Sequence, residues 1–240
     1  MKSPILARMA LLVILGITTS GLRAQEPAGS KVAAPPAATP ASAAASNTLL
    51  VLPQWAQDKV LAARQDRKVQ QQAYKLGAKL APFCANCHGP AGHSMLPEVP
   101  NLAAQNTVYV LNQLNKFHDG RRRGNFFMEG LVRGMSNDER FGLAVYYTDQ
   151  EPASFKVKDA ALAEKGRAMY EGACKRCHGE TGAGSERNSR IAGQHPDYLN
   201  MSIKRYRENK DRSEARMFKA TRALTDDEIK ALSAYIGSLR

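Results

Sequence analysis

Cys84-Ala85-Asn86-Cys87-His88 and Cys174-Lys175-Arg176-Cys177-His178 hold all four cysteines of this 240-residue chain. Two thiols about one helical turn apart can each form a thioether with a vinyl group of the same porphyrin. The next residue, a histidine, then presents its imidazole to the iron from one face. Cys-x-x-Cys-His is the attachment signature of c-type haem for that reason, and two copies predict two covalently bound haem c, held by Cys84 and Cys87 and by Cys174 and Cys177. A thioredoxin-like redox pair would belong to a βαβ pattern, and none is visible. A four-cysteine zinc site would need pairs roughly 15–20 residues apart, whereas the first cysteines here stand 90 positions apart, at 84 and 174.

The elements around these motifs are duplicated. Ala103-Ala104-Gln105 reappears as Ala192-Gly193-Gln194, Tyr109 as Tyr198 and Tyr146 as Tyr235, each 89 positions on. Ser136-Asn137-Asp138-Glu139 and Thr225-Asp226-Asp227-Glu228 both read as capping boxes that start a helix. A fixed period with matching punctuation means two similar units rather than one large core. At about 85 residues each, such units are small for an apolar core alone, and a buried porphyrin would supply part of the filling. The chain reads as all-α, with helices near 55–83, 107–118 and 137–149 in the first unit and near 159–173, 196–208 and 226–238 in the second. Apolar residues recur at helical spacing, as at Ile229, Leu232, Tyr235, Ile236 and Leu239. Gly77 and Gly166 precede their motifs by seven and eight residues, and each would let the first helix of its unit cross closely against the last, where Tyr146 or Tyr235 packs. Residues 49–75 have no counterpart in the second unit. Trp55, Ala62, Val69 and Leu76 recur there every seventh position, which reads as an extension of the first helix.

The repeat also proposes the second iron ligand. Met128 lies seven residues before Met135, which abuts the Ser136 cap; Met217 lies seven before Leu224, which abuts the Thr225 cap. They are the only methionines in equivalent places, and both are expected in a loop before a capped helix. The metal ligands read as His88 and Met128 for one iron, His178 and Met217 for the other. His93, His118 and His195 occupy non-equivalent places and read as surface imidazoles. A thioether favours ferrous iron and raises the reduction potential, and an iron with both axial places filled has none left for peroxide or oxygen. Such centres suit electron transfer, and no catalytic residue is assigned.

Lys2 and Arg8 precede the short apolar run 9–17 and small residues up to Ala24, the pattern of a secretory signal peptide over residues 1–24. Export to the periplasm fits c-type haem. Residues 25–48 are rich in Ala, Pro and Ser and read as a flexible linker. Beyond it lie the two units, 49–150 with the helical extension and 159–240, joined by a connection at 151–158. The formal charge is +12, three positive charges of which leave with the leader. The remaining excess predicts redox protein partners with acidic docking surfaces and permits peripheral membrane association, with rates that fall as salt rises. Scattered charge and the lack of any nucleic-acid motif argue against nucleic acid.

Together these features resemble dihaem class I cytochromes c, specifically the cytochrome c4 family, over about residues 76–239. The points of resemblance are Cys-x-x-Cys-His-Gly with Gly89 and Gly179, the turns 102–105 and 191–194, and the methionine placed before a capped helix. The resemblance implies two tandem class I cytochrome c domains, each wrapped around one haem. It further implies a periplasmic dihaem electron-transfer protein between a quinol-oxidising complex or dehydrogenase and a terminal oxidase or reductase. The competing functions are a dihaem redox enzyme of the peroxidase or thiosulfate-oxidising type, and a fixed electron-accepting subunit of a membrane dehydrogenase or oxidase. In the family a proline carbonyl orients the ligand imidazole; Pro100 matches it, but Ser189 stands in its place in the second unit, where the geometry is expected to be less secured.

Overall fold

The computed structural model describes residues 49–155, 159–209 and 214–240. The expected leader and the 25–48 linker lie outside the described residues, as do residues 156–158 of the connection. Every regular element among the described residues is helical, as the sequence predicts. In the first half these are α1 (Gln54–Gln65), α2 (Arg67–His88), α3 (Thr107–His118), α4 (Phe126–Arg133) and α5 (Asn137–Thr148). The second half holds α6 (Ala160–Met169), a π-helical turn at Tyr170–Cys174, α7 (Lys175–His178), α8 (Pro196–Glu208), α9 (Ala215–Thr221) and α10 (Asp226–Ser238). No described helix is long and apolar enough to cross a membrane.

In each half the helix that leads to the cysteines packs against the last helix, and small residues bring the two backbones together. A Cβ added at Gly77 would lie 2.1 Å from the Gly142 carbonyl oxygen, and one at Gly166 2.2 Å from that of Ala231. Tyr146 and Tyr235 flank these crossings, with Tyr74–Tyr146 and Tyr170–Tyr235 ring centroids both 5.4 Å apart. The last helices start where the pattern places them: Ser136 with Glu139, and Thr225 with Glu228, form complete capping boxes.

Gly77 and Gly166 differ by one residue in their distance to the motif, and the π turn at Tyr170–Cys174 absorbs that residue. A π turn fits one extra residue into a helix without rotating the turns beyond it. Both motifs therefore leave the crossing in the same phase, with Tyr170 fully buried in the widened turn and its hydroxyl donating to the Gly179 carbonyl at 2.6 Å.

The expected single helix over 55–83 is two helices. Asp66 adopts an extended conformation (φ −128°, ψ 113°), and its side chain accepts from the Lys68 amide at 2.7 Å, capping α2. The break turns α1 back over the first half instead of prolonging α2. Leu49, Leu52, Ala56 and Val60 are consequently buried with Val108, Leu111, Phe141 and Ala144. Trp55 lies over the guanidinium of Arg140, 5.3 Å from its ring centroid. Arg140 is itself buried and donates to the Met135 carbonyl at 2.8 Å and to Asn137 at 2.5 Å. The extension thus supplies core to the first half. In the second half Tyr170, Leu199, Leu232 and Ile236 form the buried cluster.

Candidate metal centres

Both motifs end their helices in the same way. His88 and His178 are buried, at 8% and 9% exposure, and Gly89 and Gly179 turn the chain away with φ of 72° and 81°. The Nδ1 of His88 lies 2.9 Å from the Pro100 carbonyl oxygen, and that of His178 lies 2.9 Å from the Ser189 carbonyl oxygen. A carbonyl can only accept, so Nδ1 carries the proton in each ring and Nε2 keeps the lone pair. That tautomer is the one a metal needs, with the ring oriented by its second nitrogen. Burial lowers the pKa of both rings, against the opposing carbonyl bonds; the positive charges of Arg122 near His88 and Arg216 near His178 add a smaller push in the same downward direction. Both shifts favour the neutral ring. Serine in place of proline does not loosen the arrangement, because the accepting group is backbone in both halves.

None of the four cysteines pairs in a disulfide; Cys87 is exposed and the other three are half-buried. Desolvation raises the Cys84 thiol and pushes Cys174 up to about 11. Among the described residues no three of His, Cys, Asp or Glu converge on one metal ion, so a four-cysteine zinc site is not formed. The residues do fit a covalent porphyrin: two thiols one turn apart, a neutral imidazole with Nε2 uncommitted, and apolar surface beside them. Phe83, next to Cys84, is 57% exposed.

Met128 and Met217 are half-buried and occupy short helices, α4 and α9, rather than the expected loop. Asn125 caps α4 by accepting from the Met128 amide at 2.9 Å, and Thr221 donates to the Met217 carbonyl at 2.8 Å. Each helix immediately precedes a capping box, as the repeat predicts. His118 is exposed as expected, but His195 is not a surface imidazole: it is buried, with Nε2 2.8 Å from the Ser94 carbonyl oxygen and its ring 4.4 Å from that of Phe155. His93 holds the connection instead of facing solvent freely, 2.8 Å from the Glu151 carbonyl oxygen.

A chain with this duplicated geometry has well-described relatives. The cytochrome c family profile matches residues 163–240. Cytochrome c4 of Thiocapsa roseopersicina is 33% identical over 175 residues, which cover 68% of this chain and 90% of the relative. The chain belongs to the cytochrome c4 family. The fold agrees: the crystal structure of reduced recombinant cytochrome c4 from Pseudomonas stutzeri superimposes with a TM-score of 0.65 at 28% identity, covering 70% of this chain and 98% of that one. A thiosulfate dehydrogenase (TsdBA) from Marichromatium purpuratum matches with a TM-score of 0.62 at 25% identity, over 70% of this chain and 40% of that one. This cytochrome c4 homologue is accordingly an all-α dihaem electron-transfer cytochrome of the class I type, carrying two haem c.

The residues that join the two halves were not evident from sequence. Gln105 and Gln194 are both buried and bond across the junction, as do Asn101 and Asn106. Their only signal was the repetition of the Ala-x-Gln turn. Arg64 also pairs with Glu186, and Lys116 with Glu214, across the halves.

Proposed function

We propose that the protein is an exported, periplasmic carrier in which Cys84 and Cys87, and Cys174 and Cys177, hold the porphyrins. His88 with Met128, and His178 with Met217, would ligate the two irons. Haem iron would supply one-electron redox chemistry when bound; the chain's own contribution would be to orient each imidazole by its carbonyl, favour its neutral form, and offer a methionine thioether as the second ligand. The observation that carries this reading is the duplication: the same 2.9 Å histidine–carbonyl bond in each half, with one equivalent methionine on a short helix before each capping box.

Electrons would pass from a quinol-oxidising complex or dehydrogenase to a terminal oxidase or reductase. Exposed Phe126 and Phe127 adjoin the basic run Arg121-Arg122-Arg123 just before Met128, an apolar patch with a positive border that suits an acidic redox partner. The likeness to a thiosulfate dehydrogenase supports a second reading, in which the chain is the electron-accepting subunit of such an oxidising system. Carbon monoxide tests the carrier against a catalyst. The reduced holoprotein should bind none, and Met128→Ala or Met217→Ala should each bind one molecule per chain. Binding to the wild-type protein would expose an open coordination place and favour an enzyme.

A further inference from the structure

We propose that Gln105 and Gln194 are positioning residues that act across the junction, each tuning the histidine–carbonyl bond of the opposite half. The proposal rests on the reading that His88 and His178 are iron ligands. Gln194 Oε1 accepts from the Asn101 amide at 2.8 Å and from the His195 amide at 3.0 Å, while its Nε2 donates to the Asn101 carbonyl at 3.0 Å. Gln105 repeats the pattern in reverse: Oε1 accepts from the Arg190 amide at 2.7 Å and the Asn106 amide at 3.2 Å, and Nε2 donates to the Arg190 carbonyl at 2.8 Å. Gln105 and Gln194 are equivalent positions 89 apart, and so are Asn101 and Arg190. The junction therefore has approximate twofold symmetry built from one duplicated turn.

The consequence depends on which peptide group is held. The Asn101 amide and the Pro100 carbonyl are two ends of one planar peptide. That carbonyl accepts from His88 Nδ1 while the amide donates to Gln194. A continuous chain thus runs from the His88 imidazole through the 100–101 peptide to the side chain of Gln194 in the other half. The 189–190 peptide links His178 to Gln105 in the same way. Linked hydrogen bonds polarise one another, by roughly 10–30% per bond. When the amide end is bonded to a buried acceptor, the carbonyl end is a stronger acceptor and draws the Nδ1 proton more firmly. The imidazole then donates more electron density through Nε2, which favours ferric iron. Each half thereby holds down the potential of the other, a crossed dependence that neither half would show alone.

The test is Gln194→Leu and Gln105→Leu in the holoprotein, which keep volume and remove both amide contacts. Each haem's potential is followed separately by NMR-monitored redox titration, along with the Nδ1 proton resonance of its histidine. Gln194→Leu should raise the potential of the first haem, and Gln105→Leu that of the second. The expected size is a two- to fivefold change in the equilibrium between reduced and oxidised iron, about 20–40 mV at 59 mV per decade for one electron. The facing Nδ1 proton should move toward the position of a weaker hydrogen bond. Asn106→Ala, which removes bonds to the Asn188 and Ala183 carbonyls, loosens the same junction without touching either peptide and should leave the two potentials unshifted relative to each other. If the leucine variants do not retain both haems, Gln194→Glu and Gln105→Glu keep size and acceptor. They should lower the potential of the facing haem more than that of their own. A shift confined to the haem of the mutated half, equal shifts of both haems, or no shift would overturn the proposal. Failure of the ligand reading would appear separately, as the wrong haem count or ligation in the wild-type protein.

Discussion

Replacing Gly166 by alanine should destabilise the second half although alanine is the better helix former. The added Cβ would stand 2.2 Å from the Ala231 carbonyl oxygen, 2.7 Å from its carbonyl carbon and 2.8 Å from the Cβ of Tyr235. Comfortable separation between such atoms is about 3.5 Å or more, so α6 and α10 must part by more than about 1 Å. The obstruction is backbone on one side and a Cβ on the other, and no rotamer change relieves it. Parting the helices also loosens Tyr170, Leu232 and Ile236, which pack beside the crossing. Overfilling a packed site costs about 1–3 kcal/mol, and the helix preference of alanine over glycine offsets only about 0.5–1 kcal/mol. Overlaps this deep against backbone belong in the upper part of that range, about 2–3 kcal/mol, so the net expectation is a loss of about 1–2.5 kcal/mol. At about 4–8 °C per kcal/mol for a domain of this size, the melting temperature of the second half should fall by roughly 5–20 °C. Thermal unfolding of the holoprotein, followed by far-ultraviolet circular dichroism and by haem absorbance, reads this directly. Gly134→Ala, where φ is −81° and an added Cβ comes no nearer than 3.6 Å to the Leu131 carbonyl oxygen, is the control and should cost little. A Gly166→Ala protein as stable as wild type would refute the close-crossing argument.

The same structure makes three further outcomes testable. Deleting Gly172 should convert the π turn into ordinary α-helix and leave haem content intact, whereas deleting Ala81 from the wholly α-helical first motif should rotate the cysteines by about 100° and lose the first haem; haem per chain distinguishes the two. Leu52→Ala removes a side chain 4% exposed in the turn before α1 and should cost the first half about 2–4 kcal/mol, with the second haem's potential unchanged in a redox titration. Electron transfer to an acidic partner should slow as salt is added, because the chain keeps a positive excess even without the leader's three charges and is steered by long-range attraction; a rate indifferent to ionic strength in stopped-flow measurements would remove electrostatic docking.

Much of this fold is legible in the sequence because the requirements are local. A haem motif needs its residues at fixed spacing, a backbone crossing needs the missing Cβ of Gly77 and Gly166, and a capping box declares itself within four residues. The break at Asp66 is hidden because the seven-residue spacing of Trp55, Ala62, Val69 and Leu76 runs straight through it, and a mid-helix aspartate differs from a cap only in its backbone angles. The short helices carrying Met128 and Met217 span two turns, too few for periodicity to show and too short to be stable without their tertiary contacts. The burial of His195 comes from Ser94 and Phe155, distant in sequence, so its neighbours along the chain give no sign of it. The paired glutamines are visible as a repeat, but nothing local says that each reaches into the other half.

The central claim is that each half grips a haem iron between histidine and methionine. Its most direct measurement is a potentiometric titration of the purified holoprotein followed by absorbance, with the haem count taken on the same sample. Two haems per chain are expected, with a weak sulfur-to-iron band in the oxidised protein from both centres, one part of it lost in Met128→Ala and the other in Met217→Ala. The titration should resolve into two one-electron steps. A single haem per chain, or a band untouched by either substitution, would contradict it.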